Sequence, residues 1–370
     1  MVDEVRQDPE VRAGTDGPDW IAMRDRFGAR LGEDGRGGSS PGSGLAECGT
    51  LMAECRFDAT ESAQNLVRAA GRETGMPGFV LRADPRGGVR VVIRQGARSQ
   101  EIRLETQAIP GEQLRIVWRW DAAAGPGALA VHALDRDVFW AMTADRPLPL
   151  PVRDLHRLIT DAATRIDPSV DAVAVAEGLL PLGPLPTLSP DLPVESPSGA
   201  APVGALRRGD TVLTADGGTA RVLRTVRQPL PALGGFAPVL MRAPYNGLRE
   251  DIVVAAEQRV RIAGSEVEYL FAEPEATAAA SDLVDGRAVQ RLDGPGVRDW
   301  AQVVLDRPAA LLSAGLALEP MTPDALLCRP GALPHSLLAE LDVDTLRAAR
   351  TRPPRLRSYE TQSWRQARAA

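Results

Sequence analysis

The sequence predicts a mostly β protein: an N-terminal antiparallel β-sandwich, then a second all-β domain with a short helical C-terminal tail. Three observations support that class. The 370 residues include 35 glycines and 31 prolines, enough to punctuate many short strands and too many for long helices. Short stretches alternating apolar and polar residues recur from Gly49 to Trp140 between turn sequences. The length exceeds what one small core fills and suits two modest domains plus tails.

Residues 1–45 are polar and acidic. Within them Asp19 to Leu31, DWIAMRDRFGARL, puts Trp20, Met23 and Phe27 at helical spacing, which predicts a short helix followed by a flexible linker, GEDGRGGSSPGSG. The sandwich is expected over 46–170, from GTLMAECRF, GFVLRAD, VRVVIRQ, QEIRLET, QLRIVWRWD and ALAVHALD, with DPRGG, IPGEQ and AAAGPG as turns. Trp118 and Trp120, two apart, share one sheet face; core filling outweighs a sugar-stacking platform, because IVWRWD sits inside the apolar pattern. Arg153 to Ile166 shows a 3.6-residue apolar period through Leu155, Leu158, Ile159 and Ile166, which predicts a second helix. A strand, VDAVAVA, and a proline-rich stretch follow, so 171–186 reads as an extended connector at the domain boundary.

Charge and residue usage narrow the function classes. The formal net charge of -6 and a pI near 5.4 disfavour nonspecific attraction to nucleic acid. The opening residues lack the apolar core of a signal peptide and no run of about 18 apolar residues follows, so the expected location is cytoplasmic, or exported without that signal, and no membrane span is expected. Cys48, Cys55 and Cys328 form no CxxC pair, and His132, His156 and His335 are far apart, so neither a metal site, a disulfide framework nor a cofactor is expected. Cys48 and Cys55 read as small apolar residues, and His132 and His156 as structural or surface groups. All 43 basic residues are arginine, which fits a GC-rich bacterial genome.

The segment Asp191 to Arg224 has a sharper pattern. Val194 to Gly199 ends one strand in a turn, Arg208-Gly209-Asp210 makes a second, and Ala215-Asp216-Gly217-Gly218 joins Thr211–Thr214 to Ala220–Val226 as a hairpin. This arrangement resembles the opening of a bacterial Hint domain, the hedgehog and intein module that cuts or rearranges its own backbone. Glu250 to Gly264, Trp300 to Pro320 and Leu356 to Thr361 resemble later strands of the same family, so the resemblance spans about Ser189 to Thr361. The strand order before it is similar to the lectin-like jelly rolls that precede Hint modules in some alphaproteobacterial proteins. Together they imply a degenerate Hint-like domain over 187–320 and a helical, arginine-rich tail over 321–370.

What the resemblance implies about the site is a set of departures. Gln258 stands at the family's strand histidine, and Pro308-Ala309 follow Asp306-Arg307 where a His-Glu pair would be. Aligning the turn at Gly199 puts Thr187 at the nucleophile position, with Ser189 the alternative. Cleavage needs the hydroxyl deprotonated and the departing nitrogen protonated, and Gln258 cannot transfer a proton at neutral pH. The leading expectation is therefore no catalytic residue and a binding or structural role, with an unidentified protein or glycan partner. The alternatives are self-cleavage before Thr187 or Ser189, and a carbohydrate-binding sandwich using Trp118 and Trp120. Asp306-Arg307 reads as an ion pair holding a strand end, and the seven arginines between Arg347 and Arg368 as a solvated helix face with a flexible end.

Overall fold

The computed structural model describes residues 17–25, 28–31, 44–58, 62–70, 77–123, 125–293, 296–347 and 353–369. Its first half is a sandwich of two antiparallel sheets. The strands are β1 (Asp19–Asp25), β2 (Gly28–Leu31), β3 (Leu45–Ala46), β4 (Cys48–Arg56), β5 (Gln64–Ala70), β6 (Pro77–Ala83) and β7 (Val89–Gln95). They continue with β8 (Arg98–Leu104), β9 (Gln113–Asp121), β10 (Pro126–Ala133), β11 (Val138–Asp145), β12 (Leu150–Pro151), β13 (Arg165–Ile166) and β14 (Val170–Glu177). The larger sheet runs β11-β10-β9-β4-β14-β1-β2 and the smaller β13-β5-β6-β7-β8, with β12 paired to β3. Leu51, Trp118 and Trp120 of the larger sheet meet Leu81, Val91 and Ile93 of the smaller, and helix α1 (Val152–Thr160) adds Leu155, Leu158 and Ile159 to that core.

Three sequence expectations change here. The first predicted helix is the hairpin β1–β2. A bulge between Trp20 and Ala22 inserts an extra residue, so Trp20 and Met23, three apart, face one side of a strand rather than one side of a helix; Phe27 and the linker over 32–43 lie outside the described residues. The helix expected to Ile166 ends at Thr160, and Arg165–Ile166 pairs with β5. The strand assigned to the connector, β14, lies between β4 and β1, so the sandwich includes residues before 46 and after 170.

The described residues of the second half form strands β15 (Pro193–Val194), β16 (Ala201–Pro202), β17 (Thr211–Leu213), β18 (Thr219–Pro231), β19 (Pro238–Met241) and β20 (Ile252–Ala255), then β21 (Arg259–Ala263), β22 (Glu275–Ala279), β23 (Val289–Arg291), β24 (Val297–Leu305), β25 (Leu311–Ser313) and β26 (Leu316–Leu318). The β17–β18 hairpin forms as its sequence predicts. Gly209 and Gly217 sit at φ 93° and 77°, and Asp210 accepts a hydrogen bond from the Arg207 amide at 2.7 Å. Long pairing of β18 with β24 makes the spine of this domain. Helices α2 (Ser265–Phe271), α3 (Asp324–Leu327), α4 (Val343–Arg347) and α5 (Ser358–Ala369), with short 3-10 turns, accompany these strands. The C-terminal stretch is not a loose appendage: Leu356 and Trp364 are buried in the second domain's core.

The two halves share a third core. The outer face of the larger sheet, with Met23, Met52, Val117, Ala130 and Ala174, packs against Val226, Leu230, Phe236, Trp300, Leu326 and Leu338. The sheet is therefore covered on both faces, and Arg115 and Arg119 of β9 are buried at the domain boundary. The connector is packed there too. Leu180, Leu182 and Leu185 join this core, Arg119 Nη1 donates to the Leu180 carbonyl at 3.1 Å, and the Leu180 amide donates to Thr50 Oγ1 at 2.9 Å. No helix among the described residues is long and apolar enough to cross a membrane.

Candidate functional site

The chain enters the second domain between two strands. The Leu188 carbonyl and amide both bond to Ala301 of β24, and the Thr187 carbonyl accepts the Ala255 amide of β20 at 2.7 Å. This wedge delivers the Thr187 side chain to the turn between β20 and β21, which carries Gln258. Thr187 Oγ1 donates to Gln258 Oε1 at 2.5 Å. A third residue, Gln302 of β24, donates from Nε2 to Thr187 Oγ1 at 3.1 Å and to Gln258 Oε1 at 3.2 Å.

All three are buried, so each polar atom needs a partner within the protein. Gln258 Nε2 donates to the carbonyls of Arg259 (2.8 Å) and Glu319 (3.0 Å), while Gln302 Oε1 accepts the Val303 amide at 3.1 Å. The hydroxyl is thus held on both its donor and acceptor sides by carboxamides. An amide neither takes nor gives a proton at neutral pH, so neither of these two contacts is a base for the hydroxyl. Sequence reasoning reached Thr187 and Gln258 and missed Gln302; the available signal was one glutamine inside the apolar run WAQVVL.

Ser189, the alternative nucleophile, is placed elsewhere. Its amide donates to the Val253 carbonyl at 3.3 Å, and no hydrogen bond joins its hydroxyl to the three-residue network. Asp306 and Arg307 do not pair with each other. Asp306 Oδ1 accepts the Arg221 amide at 2.9 Å, whereas Arg307 reaches Asp216 at 2.7 Å and the Thr219 carbonyl at 2.9 Å, tying the β17–β18 hairpin to the end of β24. Hydrogen bonds from Arg307, then from Thr214, hold the Asp216 carboxyl well below the usual range.

Thr187, Gln258 and Gln302 line a cavity of about 400 Å³ that lies between the domains and also reaches Glu54, Arg115 and His132 of the sandwich. The neighbours of Gln258 close it from both sides. Glu257 accepts from Arg115 Nη1 at 3.3 Å and also from its Nη2; Arg115 in turn donates to Glu54 Oε1 at 2.8 and 2.6 Å and lies 4.0 Å over the Phe236 ring. Glu54 Oε2 accepts the Gly235 amide at 2.6 Å, and a Cβ at Gly235 would stand 2.6 Å from the Glu257 carboxylate, which would have to shift. Burial, opposed by Arg115, pushes the Glu54 carboxyl up. On the other side, Arg259 donates to the Leu356 carbonyl at 2.9 Å and to Leu134 of the sandwich at 3.4 Å, and burial pushes its guanidinium down. Arg355 adds an ion pair to Asp137 at 3.0 Å.

The remaining sequence candidates are structural. Trp118 and Trp120 are fully buried between the sheets, and Trp120 Nε1 donates to the Ala46 carbonyl at 3.0 Å, so neither can stack on a sugar. Cys55 is buried, which pushes its thiol up to about 12. His132 Nε2 lies 2.8 Å from Asp137, and His156 Nδ1 lies 3.1 Å from the Thr160 hydroxyl.

No curated protein matches the chain. Among solved structures, the sialidase CBM40 of Ruminococcus gnavus bound to α2,3-sialyllactose is similar at 14% identity, covering 44% of this chain and 89% of that one, with a TM-score of 0.30. The gp41-1 intein is similar at 12% identity over 37% of this chain and 99% of its own (TM-score 0.26). The Msm DnaB1 intein splicing domain, solved with zinc, is similar at 21% identity over 36% and 98% (TM-score 0.24). The family model described as the Hint domain matches residues 186–325, beginning one residue before Thr187, and this stretch of the chain is a Hint domain.

Proposed function

We propose that this Hint domain neither cleaves nor splices, and that its centre serves as the joint holding the N-terminal sandwich in place, in a protein with a binding or structural role. The observation that carries the reading is the Thr187 hydroxyl clamped between Gln258 and Gln302. Acyl shift would require a base for that hydroxyl and an acid for the departing nitrogen. No histidine or carboxylate among the described residues hydrogen-bonds it, and both contacting groups are amides.

Intact mass under denaturing conditions, followed over days with and without a thiol or hydroxylamine, tests the reading. One stable species near 39.4 kDa is expected. A fragment beginning at Thr187 or Ser189 would replace this reading with self-cleavage, driven by a hydroxyl and a proton donor other than Gln258.

A further inference from the structure

The smaller sheet of the sandwich has one face in the core and the other turned away from the Hint domain. Alternation along its strands points Leu81, Val91 and Ile102 inward, which leaves Arg82 of β6, Arg90 of β7 and Arg103 of β8 on the outer face. Register places Arg82 directly opposite Arg90, and Arg90 directly opposite Arg103. On the same face, Arg68 of β5 lies one step along the strands from this row and Arg94 of β7 two steps. Like charges set abreast on neighbouring strands repel, so a row of three arginines is a cost to the sheet. Residues 77–105 hold six arginines against three acids, in a chain whose net charge is -6.

The row is only partly neutralised. Asp84 accepts from Arg90 at 2.9 Å and lies 3.8 Å from Arg103, Glu101 accepts from Arg90 at 3.0 Å, and Arg103 pairs with Glu105 at 2.5 Å. Among the described residues Arg82, Arg68 and Arg94 have no ion pair, and Arg82 Nε is a buried donor with no acceptor. We propose that this face binds a linear carboxylated polysaccharide, with Arg82, Arg68 and Arg94 taking its carboxylates and Asp84 and Glu101 accepting its hydroxyls. Guanidinium groups match carboxylates two bonds at a time. The acids on the face separate this ligand from a nucleic acid: a phosphate backbone offers mainly acceptors, which Asp84 and Glu101 would repel. The face also lacks an aromatic platform for bases, since Phe79, the one aromatic in β5–β8, points into the core. It faces away from the cavity at the domain boundary, so the proposal stands independently of what the Hint domain does.

Polygalacturonate immobilised on a biosensor, with dextran as the neutral control and mixed-sequence duplex DNA as competitor, tests the proposal on the full chain. The protein should bind polygalacturonate but not dextran, should weaken as salt rises, and should resist displacement by DNA. The triple substitution Arg68→Gln, Arg82→Gln, Arg94→Gln should weaken binding at least about tenfold and flatten the salt dependence. Arg94→Gln alone, at a half-exposed position, should weaken it about threefold and gives the answer if the triple variant fails to fold. No binding, binding unchanged by Arg94→Gln, equal binding to dextran, or preference for DNA would each overturn the proposal.

Discussion

Arg115 and Glu257 meet across the domain boundary one residue from Gln258, and Arg115 is simultaneously held by Glu54 on the strand beside it. Two carboxylates thus share one guanidinium in a buried joint. Replacing Arg115 with Met leaves the buried Glu54 and the half-buried Glu257 without their cation and should cost about 3–5 kcal/mol. Glu257→Ala keeps the Arg115–Glu54 pair and should cost about 1.5 kcal/mol. Urea unfolding of the full chain measures both, and equal losses would show that the cross-domain contact, not the buried pair, dominates.

The same joint has a pH signature. The Glu54 carboxyl titrates above its unfolded value of 4.5 because burial disfavours its charge. A group raised on folding contributes stability that is fully present below the unfolded value and is lost as pH rises through the folded one. The melting temperature should therefore fall as pH rises from about 4.5 towards neutrality, and Glu54→Gln should flatten that slope. A wild-type slope unchanged by the substitution would assign it to other groups.

Thr187→Val keeps the shape and removes the hydroxyl, so Gln258 Oε1 and Gln302 Nε2 each lose one hydrogen bond and keep the one between them. Stability should drop by about 1–3 kcal/mol while the intact mass stays that of a single chain. Thr187→Cys should also remain whole when thiol is added, because the missing element is the proton donor. Cleavage of the cysteine variant alone would mean that a donor is already in place.

Trp120→Ala should destabilise by about 3–5 kcal/mol, as expected for a large side chain removed from a packed core. Gly49 lies flat against that ring and β3 accepts its indole proton, so the loss would spread to both neighbours. If the purified variant melted with the wild type, the tryptophan would not be the core residue described here.

Much of this architecture was legible because it depends on local chemistry. Period-two patterns marked β4, β7 and β9, and Asp216-Gly217 marked its hairpin. The Hint pattern led to Thr187 and Gln258, which the structure brings within one hydrogen bond. Three features were hidden, each for a physical reason. A bulge gave β1 the apolar spacing of a helix. The burial of Arg115 and Arg119 was not legible, because alternation reports which residues share a side and not what covers that side. Gln302 stands 115 residues from Thr187, and only the pairing of β24 with the chain at Leu188 brings them together.

The packed connector has one further consequence. Leu180, Leu182 and Leu185 are anchored upstream of Thr187, and Arg119, Thr50 and the Leu182–His335 bond hold that stretch to both domains. A chain nicked before Thr187 would not fall apart. Its two pieces would co-migrate as a complemented pair under native conditions and part only in denaturant, so the backbone's continuity is invisible to any assay that leaves the particle folded.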